Sequence, residues 1–119
     1  MKKLYSIAIS IILLLGVGHT LMTLVLYSAF SADMLWFAGT GLALICLGLL
    51  NVIALQTKLS WVFLIVILAN VIATLYLTAV SLAVPEIQAY LATVAAGMMA
   101  VTSILTWLQN KNTAVHALS

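Results

Sequence analysis

The sequence predicts an all-α membrane protein, a bundle of four transmembrane helices. Of its 119 residues, 66% are hydrophobic and only 5% are charged, whereas an ordinary soluble domain carries about 25% charged residues. The apolar residues form four long runs, and a helix needs roughly 20 such residues to cross a bilayer core about 30 Å thick. Runs of this length are far too long for barrel strands, and helices satisfy their own backbone hydrogen bonds in lipid.

This composition excludes several classes of protein. Four Lys and two acidic side chains are too few to cover a water-soluble globule of this length. A soluble enzyme, a nucleic-acid-binding protein and a disordered segment are therefore ruled out. A single cysteine, Cys46, also excludes an internal disulfide and a Cys-x-x-Cys redox pair. The lipid bilayer is the first expected partner, and no nucleic acid is expected.

The first span follows a pair of lysines near the N-terminus, and the second span comes after a short polar break. The first apolar run is about 25 residues long, whereas the apolar core of a signal peptide has about 7–15. We therefore expect an uncleaved transmembrane helix. Asp33 lies in the short polar break that separates this helix from the second span.

The last two spans are bounded by equally short breaks. Lys58 lies in the break before the third span, and Pro85 and Glu86 lie in the break after it. Pro85 has no amide hydrogen and restricts the residue before it, so it suits the break and can open the fourth helix. We expect one integral membrane domain over 1–119. The predicted spans are 4–29, 35–55, 59–83 and 87–108, followed by a short cytoplasmic tail over 109–119.

The charged residues predict an orientation. The four lysines, Lys2, Lys3, Lys58 and Lys111, all fall on one side of the predicted bundle. Both acidic residues, Asp33 and Glu86, fall on the other side. Because cytoplasmic loops carry the excess of Lys and Arg, both termini are predicted to be cytoplasmic, in a bacterial inner membrane. The one-sided distribution also argues against a dimer of oppositely oriented copies.

Aromatic residues lie near the predicted membrane boundaries. Trp36, Phe37 and Tyr90 lie near the outer boundary, and Trp61 and Trp107 near the inner one. Trp and Tyr are enriched where the bilayer meets water. These side chains are therefore predicted to be membrane anchors.

Small and hydroxyl-bearing residues recur at helical spacing in each span. In lipid, helices associate through close packing of small residues and through interhelical hydrogen bonds, so these positions are predicted to face the bundle interior. They are, span by span, Gly16, Thr20 and Thr23; Gly39, Gly41, Ala43 and Gly48; Thr74, Thr78 and Ser81; and Ala92, Ala96 and Ala100.

His19 is the one ionisable residue deep within a predicted span. About ten residues at 1.5 Å each place it roughly 15 Å from the outer end of its helix. Ionisable groups at such a depth are candidates for function, and the imidazole is a candidate to titrate a proton or bind a ligand. The alternative is a structural, neutral imidazole that bonds to Asn70 or to a Thr of a neighbouring helix.

Asn51 and Asn70 add two more polar side chains inside the spans. Asn commonly joins transmembrane helices by hydrogen bonds, and this is the expected role; coordination of a cation or substrate is the alternative. The candidate intramembrane polar site comprises His19, Thr23, Asn51, Asn70 and Thr74. The candidates for the outer mouth of a cavity leading to it are Asp33, Trp36, Glu86 and Tyr90.

Catalytic residues and cofactors are not predicted. The sequence contains no Ser-His-acid set, no His-Glu-x-x-His motif, no paired carboxylates and no phosphate-binding glycine loop before a helix. A metal site needs about three or four His, Cys or acidic ligands, and this chain has two His, of which His116 belongs to the predicted tail. An enzyme is therefore not expected.

Two segments carry a resemblance to known sequences, GVGHT at 16–20 and ADMLWFAGTGLALICLGLLN at 32–51. They look like small four-span bacterial inner-membrane proteins. In size, span count and Gly-rich early helices, the chain is also faintly similar to the DoxX-like group. The resemblance covers about the first half of the chain. It implies a four-helix membrane fold and transfers no active-site residue.

The sequence favours a non-catalytic membrane protein that self-associates or serves as an accessory subunit of a larger membrane complex. With few residues outside the spans, a partner is expected to be met within the bilayer. One alternative is a small oligomeric carrier or channel with a polar path around His19 and Asn70. A second alternative is a haem- or quinone-binding membrane protein, which would carry a co-purifying ligand.

Overall fold

The computed structural model describes residues 1–57 and 59–116, which form four long α-helices. In chain order the helices are α1 (Lys2–Leu26), α2 (Ala32–Gln56), α3 (Ser60–Ala83) and α4 (Ile87–His116). No strand occurs within the described residues. Each helix is long and apolar enough to cross a membrane. The predicted all-α architecture of four helices is confirmed, and it is that of a multi-pass membrane protein.

Local sequence explains where α2 begins and α3 ends. Ser31 has an extended backbone, and its Oγ accepts a hydrogen bond from the amide of Met34 at 3.2 Å. This side chain caps the start of α2, where helical amides lack intrahelical partners. Pro85 lies in the turn between α3 and α4, where its missing amide hydrogen removes no helical bond.

The fourth helix extends beyond its predicted span. Residues 109–116, predicted as part of a tail, continue α4 as helix. Near this end the Trp107 indole donates to Ser60 Oγ at 2.8 Å, which ties α4 to the start of α3. The rest of the predicted tail, 117–119, lies outside the described residues, as does Lys58.

The helices pack as an antiparallel bundle in which short turns join successive helices. α1 packs along both α2 and α4, and α3 packs along α4, whereas α2 and α3 touch over a shorter stretch. Large apolar side chains cover the outside, and Leu24, Val25, Trp36 and Leu82 are each more than 70% exposed. An outer surface of this kind suits contact with lipid tails.

α1 and α2 cross at two glycines that bring their backbones together. A Cβ atom on Gly16 would lie 2.9 Å from the carbonyl oxygen of Gly41, and one on Gly41 would lie 2.8 Å from the carbonyl oxygen of Gly16. At the next contact, a Cβ on Gly48 would meet the side chain of Leu13. Small residues allow this approach, which gains close packing in lipid.

The small residues predicted to face inward divide into buried and exposed positions. In α4, the alanines of the predicted stripe are buried, namely Ala92, Ala96 and Ala100. In α2, however, Gly39 and Ala43 are exposed, because the helix turns Gly41 and Gly48 toward α1. In α3, Thr78 is exposed as well. The prediction that Gly39, Ala43 and Thr78 face the bundle interior was wrong.

Replacing Gly41 by Ala is expected to destabilise the bundle by about 1–3 kcal/mol, the usual cost of overpacking. The new methyl group would meet backbone atoms of Gly16 and Thr20, which cannot rotate away. Gly18→Ala is the matched control, since a Cβ there meets nothing within 4 Å, and its better helix propensity predicts a neutral or stabilising effect. Unfolding in detergent, followed by circular dichroism, compares the variants. Equal stability of the two would contradict the close crossing.

Candidate functional site

Polar side chains from all four helices meet in the half of the bundle that carries the described lysines. The Tyr5 hydroxyl of α1 donates to Asn51 Oδ1 of α2 at 2.6 Å. Asn51 and Asn70 of α3 form a reciprocal pair, in which each Nδ2 donates to the Oδ1 of the other at 2.8 Å. Asn70 Nδ2 also donates to Ser103 Oγ of α4 at 3.3 Å. These four residues, here called the Asn network, are completely buried.

The Asn network is saturated with hydrogen bonds. Asn51 Nδ2 also donates to the carbonyl of Leu47 at 2.8 Å, and Ser103 Oγ to that of Ala100 at 2.9 Å. Among the described residues, every buried side-chain nitrogen and oxygen has a partner. A network with all its members paired joins the helices and specifies their arrangement. The geometry therefore supports the expected role of Asn51 as an interhelical tie.

An apolar layer follows the Asn network toward the opposite end of the bundle. Ile12 of α1 and Met99 of α4 are fully buried in it. Buried alanines complete the layer, namely Ala8, Ala92, Ala95 and Ala96. The layer separates the Asn network from His19, which lies 14 residues after Tyr5, or about 21 Å along the helix axis.

Beyond the apolar layer, the half of the bundle that carries the acidic residues contains a cavity of about 540 Å³. All four helices contribute to its lining, together with the turn before α4. Its polar lining residues are His19, Thr40, Glu86 and Gln88. Its walls are otherwise apolar and include Leu15, Met22, Leu44, Leu77 and Val80. We call this space the His19 cavity.

The His19 imidazole is held by stacking. Its ring centroid lies 3.7 Å from that of Phe37, with 19° between the two planes. The Tyr27 ring packs against Phe37 in turn, with 5.8 Å between their centroids and a tilt of 53°. No hydrogen bond joins the imidazole to another side chain or carbonyl among the described residues. Because a neutral imidazole has one donor and one acceptor in the plane of its ring, stacking leaves both groups able to bond to a ligand.

The end of the His19 cavity farther from the Asn network carries a carboxylate. Glu86 is exposed, lines the cavity and accepts a hydrogen bond from Gln88 Nε2. The other residues predicted for the outer mouth, Asp33, Trp36 and Tyr90, are exposed and are not part of the cavity lining. Glu86 is thus the predicted mouth residue that the structure brings to His19.

The predicted intramembrane site divides between the two polar regions. Asn51 and Asn70 belong to the Asn network, and His19 belongs to the cavity. The hydroxyls of Thr23 and Thr74 bond to carbonyls of their own helices, those of His19 at 3.2 Å and Asn70 at 2.7 Å. Asn70, considered from the sequence as a partner of His19, instead uses its side chain within the Asn network.

Three residues of these regions were not predicted from the sequence as part of a site, namely Tyr5, Ser103 and Phe37. Tyr5 lies two seven-residue repeats before His19, and Ser103 lies one such repeat after Ala96. This spacing was the available signal that they share an inward face. Phe37 was assigned as a membrane anchor, because an aromatic residue near the end of a span gives the same signal whether it faces lipid or a neighbouring helix.

Comparisons of the chain with family models, with curated proteins and with solved structures find no match.

Replacing Asn70 by Leu is expected to destabilise the bundle by about 1–2 kcal/mol, because Asn51 loses its partner in an apolar interior. The double variant Asn51→Leu/Asn70→Leu should lose less unfolding free energy than the two single variants lose in sum, since it removes both partners. Thr78→Val is the control, as Thr78 is exposed and its hydroxyl bonds to the Thr74 carbonyl of its own helix.

The measurement for this cycle is reversible unfolding in mixed micelles. Strictly additive effects of the two Asn substitutions would show that the pair is not coupled.

Proposed function

We propose that this chain is a non-catalytic, multi-pass membrane protein that binds a small amphiphilic molecule in the His19 cavity. The observation that carries the proposal is a space of about 540 Å³ with apolar walls and a few polar groups. Ligand sites in proteins are typically clefts of about 300–1,000 Å³ lined in this way. An amphiphile matches the cavity, because its tail suits the walls and its head suits the polar groups.

His19 is the residue that we assign to the head of the ligand. Its ring is fixed by the stack on Phe37, and its nitrogens form no hydrogen bond within the described part of the chain. A polar group in apolar surroundings is stabilised when it gains a hydrogen bond. A ligand head that offers a donor or an acceptor would supply one at this position.

The apolar layer supports a binding site more than a path across the membrane. Ile12 and Met99 are fully buried between the His19 cavity and the Asn network. A charged solute would have to displace them and enter apolar surroundings, at a cost of several kcal/mol. Asn51 and Asn70 are saturated by their own contacts, so neither is available to coordinate a passing solute. A carrier or channel would need a rearrangement of this region.

The distribution of charge supports an orientation for the proposed binding protein. Lys2, Lys3 and Lys111 belong to one end of the bundle, and Asp33 and Glu86 to the other. Under the positive-inside rule, the lysine-bearing end is cytoplasmic. We place the protein in a bacterial cytoplasmic membrane with both termini inside, so that the His19 cavity faces the outer side.

This orientation predicts the labelling of single cysteines in a Cys46→Ala background. Ser28 and Thr113 are exposed and lie toward opposite ends of the bundle. A membrane-impermeant maleimide applied to intact spheroplasts is expected to label Ser28→Cys and to leave Thr113→Cys unlabelled until the membrane is opened. The reverse pattern would invert the proposed orientation.

Filling the His19 cavity is expected to abolish ligand binding without unfolding the protein. Gly18 lines the cavity, and a Cβ there meets nothing within 4 Å, so Gly18→Phe places a ring in the space. Gly39→Phe is the matched control, since Gly39 is equally unobstructed and also exposed but does not line the cavity.

The probes for this test are dodecyl amphiphiles with a diazirine at the chain end and a hydroxyl, trimethylammonium or carboxylate head. In lipid nanodiscs, at least one head should give saturable adducts on residues 14–26 or 77–92 of the parent protein and of Gly39→Phe. Gly18→Phe should lose these adducts while keeping its circular dichroism. If none of the three probes gives saturable adducts there, the proposed function is wrong.

A further inference from the structure

The His19 cavity has a carboxylate at its outer end and no positively charged side chain among its described lining residues. That carboxylate is Glu86, which lies in the turn before α4. We infer that the ligand is a cation, a single-chain amphiphile with a protonated amine or quaternary ammonium head. This inference rests on the proposed function, to which it adds the chemical class of the ligand.

Helix dipoles leave the negative charge at this end unopposed. α1 and α3 end here, and α2 and α4 begin here. Each N-terminus carries about +0.5 charge and each C-terminus about −0.5, so the four contributions cancel. The carboxylates of Asp33 and Glu86 remain. The described lysines lie at the other end of helices of about 25 residues, roughly 37 Å away, which is well beyond the screening length in physiological salt.

Groups near the outer end of the cavity suit a cationic head. The exposed Glu86 carboxylate supplies an opposite charge at the end of the cavity. A neutral His19 imidazole can accept a hydrogen bond from a protonated amine.

The walls of the cavity set the length of the tail. On α1, lining residues extend from Leu14 to Leu26, a rise of about 18 Å. An alkyl chain of roughly a dozen carbons together with its head group has a similar extended length, given carbon–carbon bonds of about 1.5 Å. Met22 and Leu44 are also part of the wall, and the flexible Met side chain adapts to chains of different shape.

Other head groups fit this electrostatic environment less well. An anionic head would approach the Glu86 carboxylate with no cation among the described lining residues to offset the repulsion. A neutral hydroxyl head would gain a hydrogen bond from His19 but no attraction of opposite charges. The structure therefore predicts an order of affinity from cationic through neutral to anionic heads.

The test compares the three dodecyl diazirine probes on the parent protein, Glu86→Gln and Asp33→Asn, in zwitterionic nanodiscs at low ionic strength. Each affinity is the half-saturating concentration of the adducts on the cavity segments, expressed relative to the parent protein, so that differences in membrane partitioning cancel. Asp33→Asn is the matched control, because it removes the same charge from the same end at a residue outside the cavity lining.

Glu86→Gln is expected to lower the affinity for the trimethylammonium probe about tenfold. It should leave the affinity for the hydroxyl probe unchanged and raise the affinity for the carboxylate probe. Asp33→Asn should have a much smaller effect, and added salt should reduce the difference. Unchanged binding of the hydroxyl probe shows that Glu86→Gln keeps the cavity intact.

If Glu86→Gln changes the affinities for the trimethylammonium and hydroxyl probes equally, the inference of a cationic ligand is overturned, whereas the proposed binding site is not. Saturable adducts with the carboxylate probe alone would also overturn it. The absence of saturable adducts with every probe would instead overturn the proposed function, and this inference with it.

Discussion

The reciprocal hydrogen bonds between Asn51 and Asn70 are the constraint on which the rest of the bundle depends. In lipid, apolar side chains gain little by facing one another instead of acyl chains, so close packing and interhelical hydrogen bonds decide how helices associate. The pair joins α2 to α3, which otherwise touch over a short stretch. Tyr5 and Ser103 extend the same network to α1 and α4. One group of side chains with all its hydrogen bonds formed therefore fixes the positions of the four helices relative to one another along the bundle axis.

Beyond the apolar layer, two close contacts join α1 to α2 and α3 to α4. The close approach of Gly16 and Gly41 draws α1 to α2, and the hydroxyls of Ser81 and Thr93, 2.7 Å apart, join α3 to α4. The His19 cavity is lined by both pairs. Space for a ligand thus occurs where pairwise contacts replace a network shared by all four helices. The same division separates residues that maintain the fold from residues able to meet a ligand.

The sequence predicted the four helices well, because bilayer thickness and the cost of buried charge impose strong constraints on length and composition. It predicted the packing faces less well. A helix in lipid is apolar on both its inner and outer faces, so the contrast that identifies the buried face of a soluble helix is weak. Gly39 and Gly41 show this, since both are small and only Gly41 faces α1. The contact of Tyr5 with Asn51 depends on helix order and rotation, which spacing within one helix does not encode.

The two polar regions differ in how they are held in place, and this difference bears on the proposed binding of a ligand. Loss of one partner from the Asn network leaves a buried donor or acceptor unpaired, at a cost of about 1–3 kcal/mol, and this cost holds the lysine-bearing half in one arrangement. His19 is positioned by its stack on Phe37, a contact that uses the face of the ring and leaves its edge for hydrogen bonds. A ligand head can therefore bond to His19 without breaking any bond that positions it. Under the proposed function, a ligand would therefore bind in the acid-bearing half while the Asn network maintains the fold, and this combination favours a binding protein over a pore.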